Sequence, residues 1–135
     1  MLTENEIVEK VADFLESRGY LIKQRLTTNQ QGIDLIAESQ NEKLYIEAKG
    51  ETSALKTSSR YGQPFNRSQV KSHIGLALWA TMKVISSEPA GKKTKAGIAL
   101  PDNKEHRKVI EIIYPALKKL GIKLFWVTKS HVTIE

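Results

Sequence analysis

Two carboxylates stand in runs that are otherwise apolar. Asp34 lies in Gly32-Ile33-Asp34-Leu35-Ile36-Ala37, and Glu47 in Leu44-Tyr45-Ile46-Glu47-Ala48-Lys49-Gly50. A carboxylate inside a buried strand is costly unless it is paired or holds a cation. A short polar turn between the runs would lay them side by side. Glu47 and Lys49 are two positions apart, so both point to one face of a sheet, and Asp34 on the neighbouring strand can point to that face too. Two carboxylates offer oxygen ligands to a hard cation such as Mg²⁺, with Mn²⁺ able to substitute, and leave positions for water and a phosphate. A cation held there acidifies water and polarises a phosphoryl oxygen. The lysine would orient the water or stabilise developing negative charge. One such residue alone reads as a solvated strand end, whereas three in this register read as a site.

The flanking residues extend the pattern. The stretch 50–66 follows Lys49 directly, is rich in Ser, Thr and basic residues, and has no apolar period. A connection this long inside a compact domain is usually functional. Tyr61 and Phe65 lie among Arg60 and Arg67, as on a surface that grips a nucleic-acid backbone. Arg67 and Lys71 are helix neighbours at i, i+4. Gln69 and His73 share that spacing: Gln69 is expected to hydrogen-bond the lysine, a water or a phosphate, and His73 to face substrate. Trp79 and Trp126 read as core or interface residues, and His106 and His131 as surface ones.

Elements must hold these groups in place. A helix over 4–18 follows from Ile7, Val11, Phe14 and Leu15 at helical spacing, with Thr3 and Glu6 as a capping box and Gly19 at its end. Strands are expected at 20–26, 32–38 and 43–49, and a second helix over 67–86. A fourth strand at 95–100 ends at Pro101. A third helix follows, with Asp102 as its N-cap and a kink or restart at Pro115. A fifth strand spans 122–128, and 131–134 reads as a further short strand. Three consecutive strands predict an antiparallel start, and strand–helix–strand alternation predicts parallel crossovers. The expected fold is α/β, a mixed sheet flanked by helices in the order α-β-β-β-α-β-α-β, forming one domain over 1–135.

Composition narrows the classes. The net charge is +6, unevenly spread: residues 1–48 carry 5 basic and 9 acidic side chains, and residues 49–108 carry 12 and 4. A basic middle suits a polyanion. With no cysteine, disulfides and thiolate metal sites are excluded. No apolar run is long enough for a membrane span, and the acidic N-terminal residues lack a signal-peptide layout. A cytoplasmic, reducing location is expected.

Asp34 followed by Glu47-Ala48-Lys49 resembles the Asp…(Asp/Glu)-x-Lys signature of the PD-(D/E)XK nuclease superfamily. Gly32-Ile33-Asp34 is similar to its Gly-x-Asp variant, with Ile33 where the namesake proline stands. The element order resembles that superfamily's α-β-β-β-α-β core, from the first helix to the fourth strand. Holliday-junction resolvases, restriction endonucleases and Mrr-like enzymes share it. The resemblance implies a restriction-endonuclease-like fold, Mg²⁺ or Mn²⁺ on Asp34 and Glu47 with the Ala48 carbonyl as a further ligand, and Lys49 assisting hydrolysis of a phosphodiester, most readily in DNA. Many members add a glutamate from the first helix. The candidates are Glu4, Glu6 and Glu9, and none is assigned, because Val8 occupies the expected position. Gln69 and His73 match a Gln-x-x-x-Tyr pair of some members, with His in the Tyr place. The competing expectation is a non-catalytic nucleic-acid-binding or protein-interaction module on the same fold, phage or anti-phage related. A homodimer through the apolar stripe at 109–120 is compatible with either.

Overall fold

The computed structural model describes residues 1–27, 30–53, 62–87 and 93–135. Helix α1 spans Glu4–Ser17, and the residues before it set its start. The Thr3 hydroxyl accepts the Glu6 N–H at 3.3 Å, and the Glu6 carboxylate accepts the Thr3 N–H at 3.0 Å. This is the expected reciprocal cap. Ile7, Val8, Val11, Ala12 and Leu15 form the buried side of the helix.

Three strands follow as an antiparallel meander: β1 (Leu21–Arg25), β2 (Leu35–Glu38) and β3 (Glu42–Ala48). Helix α2 (Arg67–Ser87) carries the chain back so that β4 (Lys93–Pro101) runs parallel to β3. Helix α3 (Lys104–Leu120) repeats the crossover, bringing β5 (Lys123–Val127) parallel to β4. Finally β6 (Val132–Ile134) turns back antiparallel on β5. The six strands lie in chain order across one mixed sheet. The expected eight-element order is therefore one element short, since β6 pairs with β5 through only three residues at the sheet edge.

Alternation along the strands sorts the two faces. Leu44, Ile46 and Ala48 of β3 pack with Ala99, Phe125 and Val127 and with the buried side of α1. Ile98, Leu100, Leu124 and Trp126 point the other way, onto Val70, Ile74 and Ala77 of α2 and Ile110 and Leu117 of α3. Glu47, and Lys49 just beyond the strand, thus belong to the face that α2 covers.

Several local expectations are corrected. Helix α3 is capped by Asn103, whose Oδ1 accepts the His106 N–H at 2.9 Å, while Asp102 instead takes two N–H groups of Arg107 at 2.7 and 3.0 Å. The helix runs unbroken through Pro115, because the carbonyl the proline leaves without its N–H belongs to solvent-exposed Glu111. In the 109–120 stripe, Leu117 is buried and Val109 and Ile113 pack on the core, which leaves Ile112 and Leu120 exposed. Trp126 is buried as expected, but Trp79 is 66% exposed, because it sits opposite the buried Val70–Ile74–Ala77 side of α2. His106, expected at the surface, is 1% exposed. Among the described residues no helix is long and apolar enough to cross a membrane.

Candidate active site

Asp34 and Glu47 meet where β2 begins and β3 approaches its end. The outermost rung between these strands pairs Leu35 with Ile46, and one further step sets Asp34 opposite Glu47. Asp34 lies just before β2, not inside the longer strand expected over 32–38. The cause is local. Gly32 turns the chain at φ +127°, a conformation glycine adopts freely. The Ile33 carbonyl accepts from Gln24 Nε2 at 2.7 Å, and the Asp34 carbonyl accepts from the Leu26 N–H at 2.8 Å. The Ala48 N–H, which a longer ladder would give to a backbone carbonyl, donates instead to Asp34 Oδ2 at 2.8 Å. A side chain takes the place of the next rung.

Both residues are buried, each 8% exposed as a whole, with their carboxyl ends toward the end of the strand. Burial pushes the Glu47 carboxyl up to about 8. The charge of Asp34 and a hydrogen bond between the two carboxyl groups push the same way, Lys49 opposes them, and Glu4 adds to the rise. Lys49 follows β3 directly, with its N–H fixed to the Ala99 carbonyl at 3.0 Å. On the α2 side stands His73, its ring edge-on to Phe65 with centroids 4.5 Å apart. Burial, and then the Lys49 charge, lower its pKa and favour the neutral imidazole.

The other expected residues divide. Gln69 Oε1 accepts the Asn66 N–H at 2.9 Å while Asn66 Oδ1 accepts the Gln69 N–H at 2.9 Å, so this side chain helps close the start of α2. Arg67 donates from Nε to Glu105 of α3 at 3.0 Å and ties two helices together. Lys71 is exposed on α2. The Ala48 amide is committed to Asp34. Arg60 and Tyr61 lie outside the described residues.

One residue left unassigned by the sequence belongs here. The Glu4 carboxyl is raised by burial first and by the charge of Asp34 next, with Lys49 opposing, and it acts in turn on Glu47. Glu6 is occupied by the cap and Glu9 by an ion pair to Arg25 at 2.7 Å. Gly50 brings Glu4 in. A Cβ on Gly50 would lie 2.5 Å from the Glu4 nitrogen and 2.7 Å from the Thr3 carbonyl carbon, so only a glycine lets the start of α1 close on the end of β3. The glycine directly after the Glu-x-Lys run was the available sequence signal.

The donor set suits a hard divalent cation. The groups are oxygen donors, crowded and buried, and burial first, then the charge of Asp34, raises Glu47 where a bound cation would lower it. Among the described residues no group of three or more His, Asp or Glu side chains is placed to hold a metal ion together, so a cation here would rest on the Asp34–Glu47 pair. Two carboxylates with water completing the shell is the usual provision for Mg²⁺. A cleft of about 420 Å³ beside Arg107, Tyr114 and Trp126 lies elsewhere, on α3 and β5, and none of the acidic site residues lines it.

The fold and site define a mixed α/β protein whose six-stranded sheet carries a buried acidic pair and a lysine at the end of its third strand. Compared with family models, curated proteins and solved structures, the chain matches none.

Proposed function

We propose that this protein is a divalent-cation-dependent nuclease that hydrolyses phosphodiester bonds, in DNA before RNA, and a member of the PD-(D/E)XK superfamily with its restriction-endonuclease-like fold. The observation that carries the reading is the buried pairing of Asp34 with Glu47 beside Lys49. A helix, an antiparallel three-strand meander, a helix and a parallel fourth strand, in that order, support it as well.

Asp34 and Glu47 would hold Mg²⁺ or Mn²⁺, with the Ala48 carbonyl at hand. When bound, the cation supplies an acidified water and a polarised phosphoryl oxygen. The chain's own residues do the rest. The Ala48 N–H fixes one Asp34 oxygen, which leaves the other to turn toward Glu47. The Lys49 ammonium, on the same face as Glu47, orients the attacking water and offsets charge on the scissile phosphate. Neutral His73 offers a hydrogen bond to water or phosphate from the α2 side. Lys71, exposed on α2, would meet the nucleic-acid backbone, a contact that positions without reading sequence.

The test is cleavage of duplex, single-stranded and branched DNA, and of RNA, with Mg²⁺ or Mn²⁺, by wild type and by Asp34→Ala and Lys49→Ala. Cleavage by wild type and its loss in both variants supports the reading, and undiminished cleavage by either variant refutes it. Salt-sensitive binding without cleavage by any of the three would point to a non-catalytic module. Light scattering on the same samples decides whether the chain is a homodimer.

A further inference from the structure

We propose that Glu51 is a positioning residue for the acidic site: its carboxylate, oriented by Asn103, grips the backbone of Leu2 and so seats Glu4 beside Asp34 and Glu47. The proposal rests on the cation-binding reading of that site.

The contacts form one continuous path. The Leu2 N–H donates to Glu51 Oε2 at 2.8 Å, and the Glu51 N–H returns a bond to the Leu2 carbonyl at 2.9 Å. The residues before α1 are thereby paired edge to edge with the residues after β3. Asn103 Nδ2 donates to the other oxygen, Oε1, at 3.1 Å. The Asn103 amide has one orientation available, because its Oδ1 is held by buried His106 through both the backbone N–H at 2.9 Å and Nδ1 at 2.8 Å. Each oxygen of Glu51 is thus taken by an N–H. Glu51 therefore serves the acidic cluster through the backbone it holds and does not compete as a ligand.

Its reach matters because of what lies on either side. Gly50, the preceding residue, lies against the Glu4 nitrogen with no room for a methyl group. Leu2 is buried, 3% exposed, in the core under α1. Leu2 and Gly50 flank Glu4 like two jaws, and Glu51 closes them. Release of Leu2 would free the first turn of α1, the only turn that carries an acid to the site. His106 and Asn103 gain a role here that the hydrolytic chemistry leaves open for them.

The test uses the full chain without substrate. Mn²⁺ affinity is read from the free-ion electron paramagnetic resonance signal, and the nuclear Overhauser contact between the Glu4 amide and the Gly50 Hα protons is read by NMR. The proteins are wild type, Glu4→Gln, Glu51→Ala, Glu51→Asp, Glu51→Gln and the double variant Glu4→Gln/Glu51→Ala. Glu51→Ala is expected to weaken Mn²⁺ binding by roughly 10-fold, as loss of an outer-shell partner does, and to lose the Glu4–Gly50 contact. Glu51→Asp keeps the charge but not the reach and is expected to behave like Glu51→Ala. Glu51→Gln still offers an oxygen to Leu2 and is expected to recover most of the affinity. The double variant is expected to bind no more weakly than Glu4→Gln alone. The proposal is overturned if Glu51→Asp or a folded Glu51→Ala keeps wild-type affinity and the contact, or if the two single losses multiply in the double variant. Absence of Mn²⁺ binding by wild type overturns the reading of the site, and the Glu4–Gly50 contact alone then decides whether Glu51 seats Glu4.

Discussion

Neutralising Glu47 should make the cation-free protein more stable, and more so as pH rises. In the fold the Glu47 carboxyl keeps its proton up to about 8, against an ordinary value of 4.5. Between those values the folded chain holds a proton that the unfolded chain has released, so stability is lost as pH rises through that window. Each unit of displacement corresponds to about 1.4 kcal/mol, which makes the ceiling roughly 5 kcal/mol. The carboxyls lie at the end of a strand near solvent, and screening there roughly halves the figure, to about 2 kcal/mol. Glu47→Gln keeps the shape and removes the titration. Urea or thermal unfolding in chelator, followed by circular dichroism, should show wild type and variant nearly equal at pH 4.5. At pH 8 they should be separated by about 2 kcal/mol, equivalent to roughly 8 °C in a chain of this size. Mn²⁺ should then reverse the ranking at pH 8, adding about 2.7 kcal/mol to wild type at a hundred times its dissociation constant and little to the variant. The reasoning fails if Glu47→Gln is less stable than wild type at pH 8 in chelator, or if the gap does not widen between pH 4.5 and 8.

His106 should have the opposite pH signature. Burial lowers its pKa from 6.5 to about 4, so the unfolded chain binds the proton first and stability falls as pH drops from 6.5 toward 4. The contribution is at most about 3 kcal/mol, and His106→Gln should flatten that limb of the stability curve. Gly50→Ala should cost about 1–3 kcal/mol through overpacking against Glu4 and Thr3, and it should weaken Mn²⁺ binding in the same sample. Trp126→Ala should cost about 3–5 kcal/mol in urea unfolding, as for a buried aromatic. Trp79→Ala should stay within about 0.5 kcal/mol, and a larger loss would mean that its exposed face is covered in solution.

Much of the architecture was legible because it follows from parity and spacing. The antiparallel meander and the parallel crossovers were readable from turn lengths, and the first helix from one capping box and one apolar stripe. The pairing of Asp34 with Glu47 was readable because a short turn between two strands leaves few registers, and a one-residue slip would turn Leu44 and Ile46 away from the face that Leu35 and Ala37 share. What escaped depended on contacts distant in sequence. Arg67 finds Glu105 on another helix, and His106 is buried by the packing of α3 against the rest of the fold. Gln69 is a different case. Asn66-x-x-Gln69 has the spacing of a cap, and that local role could have been weighed from the sequence beside the chemical one.

Glu4 shows why charge counts alone misdirect. The first third carries nine carboxylates, and four of them have structural duties. Glu6 caps α1, Glu9 and Glu16 hold Arg25, and Glu38 lies 3.9 Å from Lys23. Of the five that remain, Asp13 and Glu42 lie apart, and Glu4, Asp34 and Glu47 act on one another, opposed by Lys49. The basic middle contracts in the same way, since Arg67 is engaged by Glu105 and Arg107 by Asp102. Three carboxylates and one ammonium, all ionised, amount to two negative charges, the charge one divalent cation removes. Without the cation, burial and the neighbouring acids favour retaining a proton on Glu47, which reduces that charge. A cation bound at this site would displace that proton, so Mn²⁺ affinity should rise with pH up to the point where Glu47 is ionised.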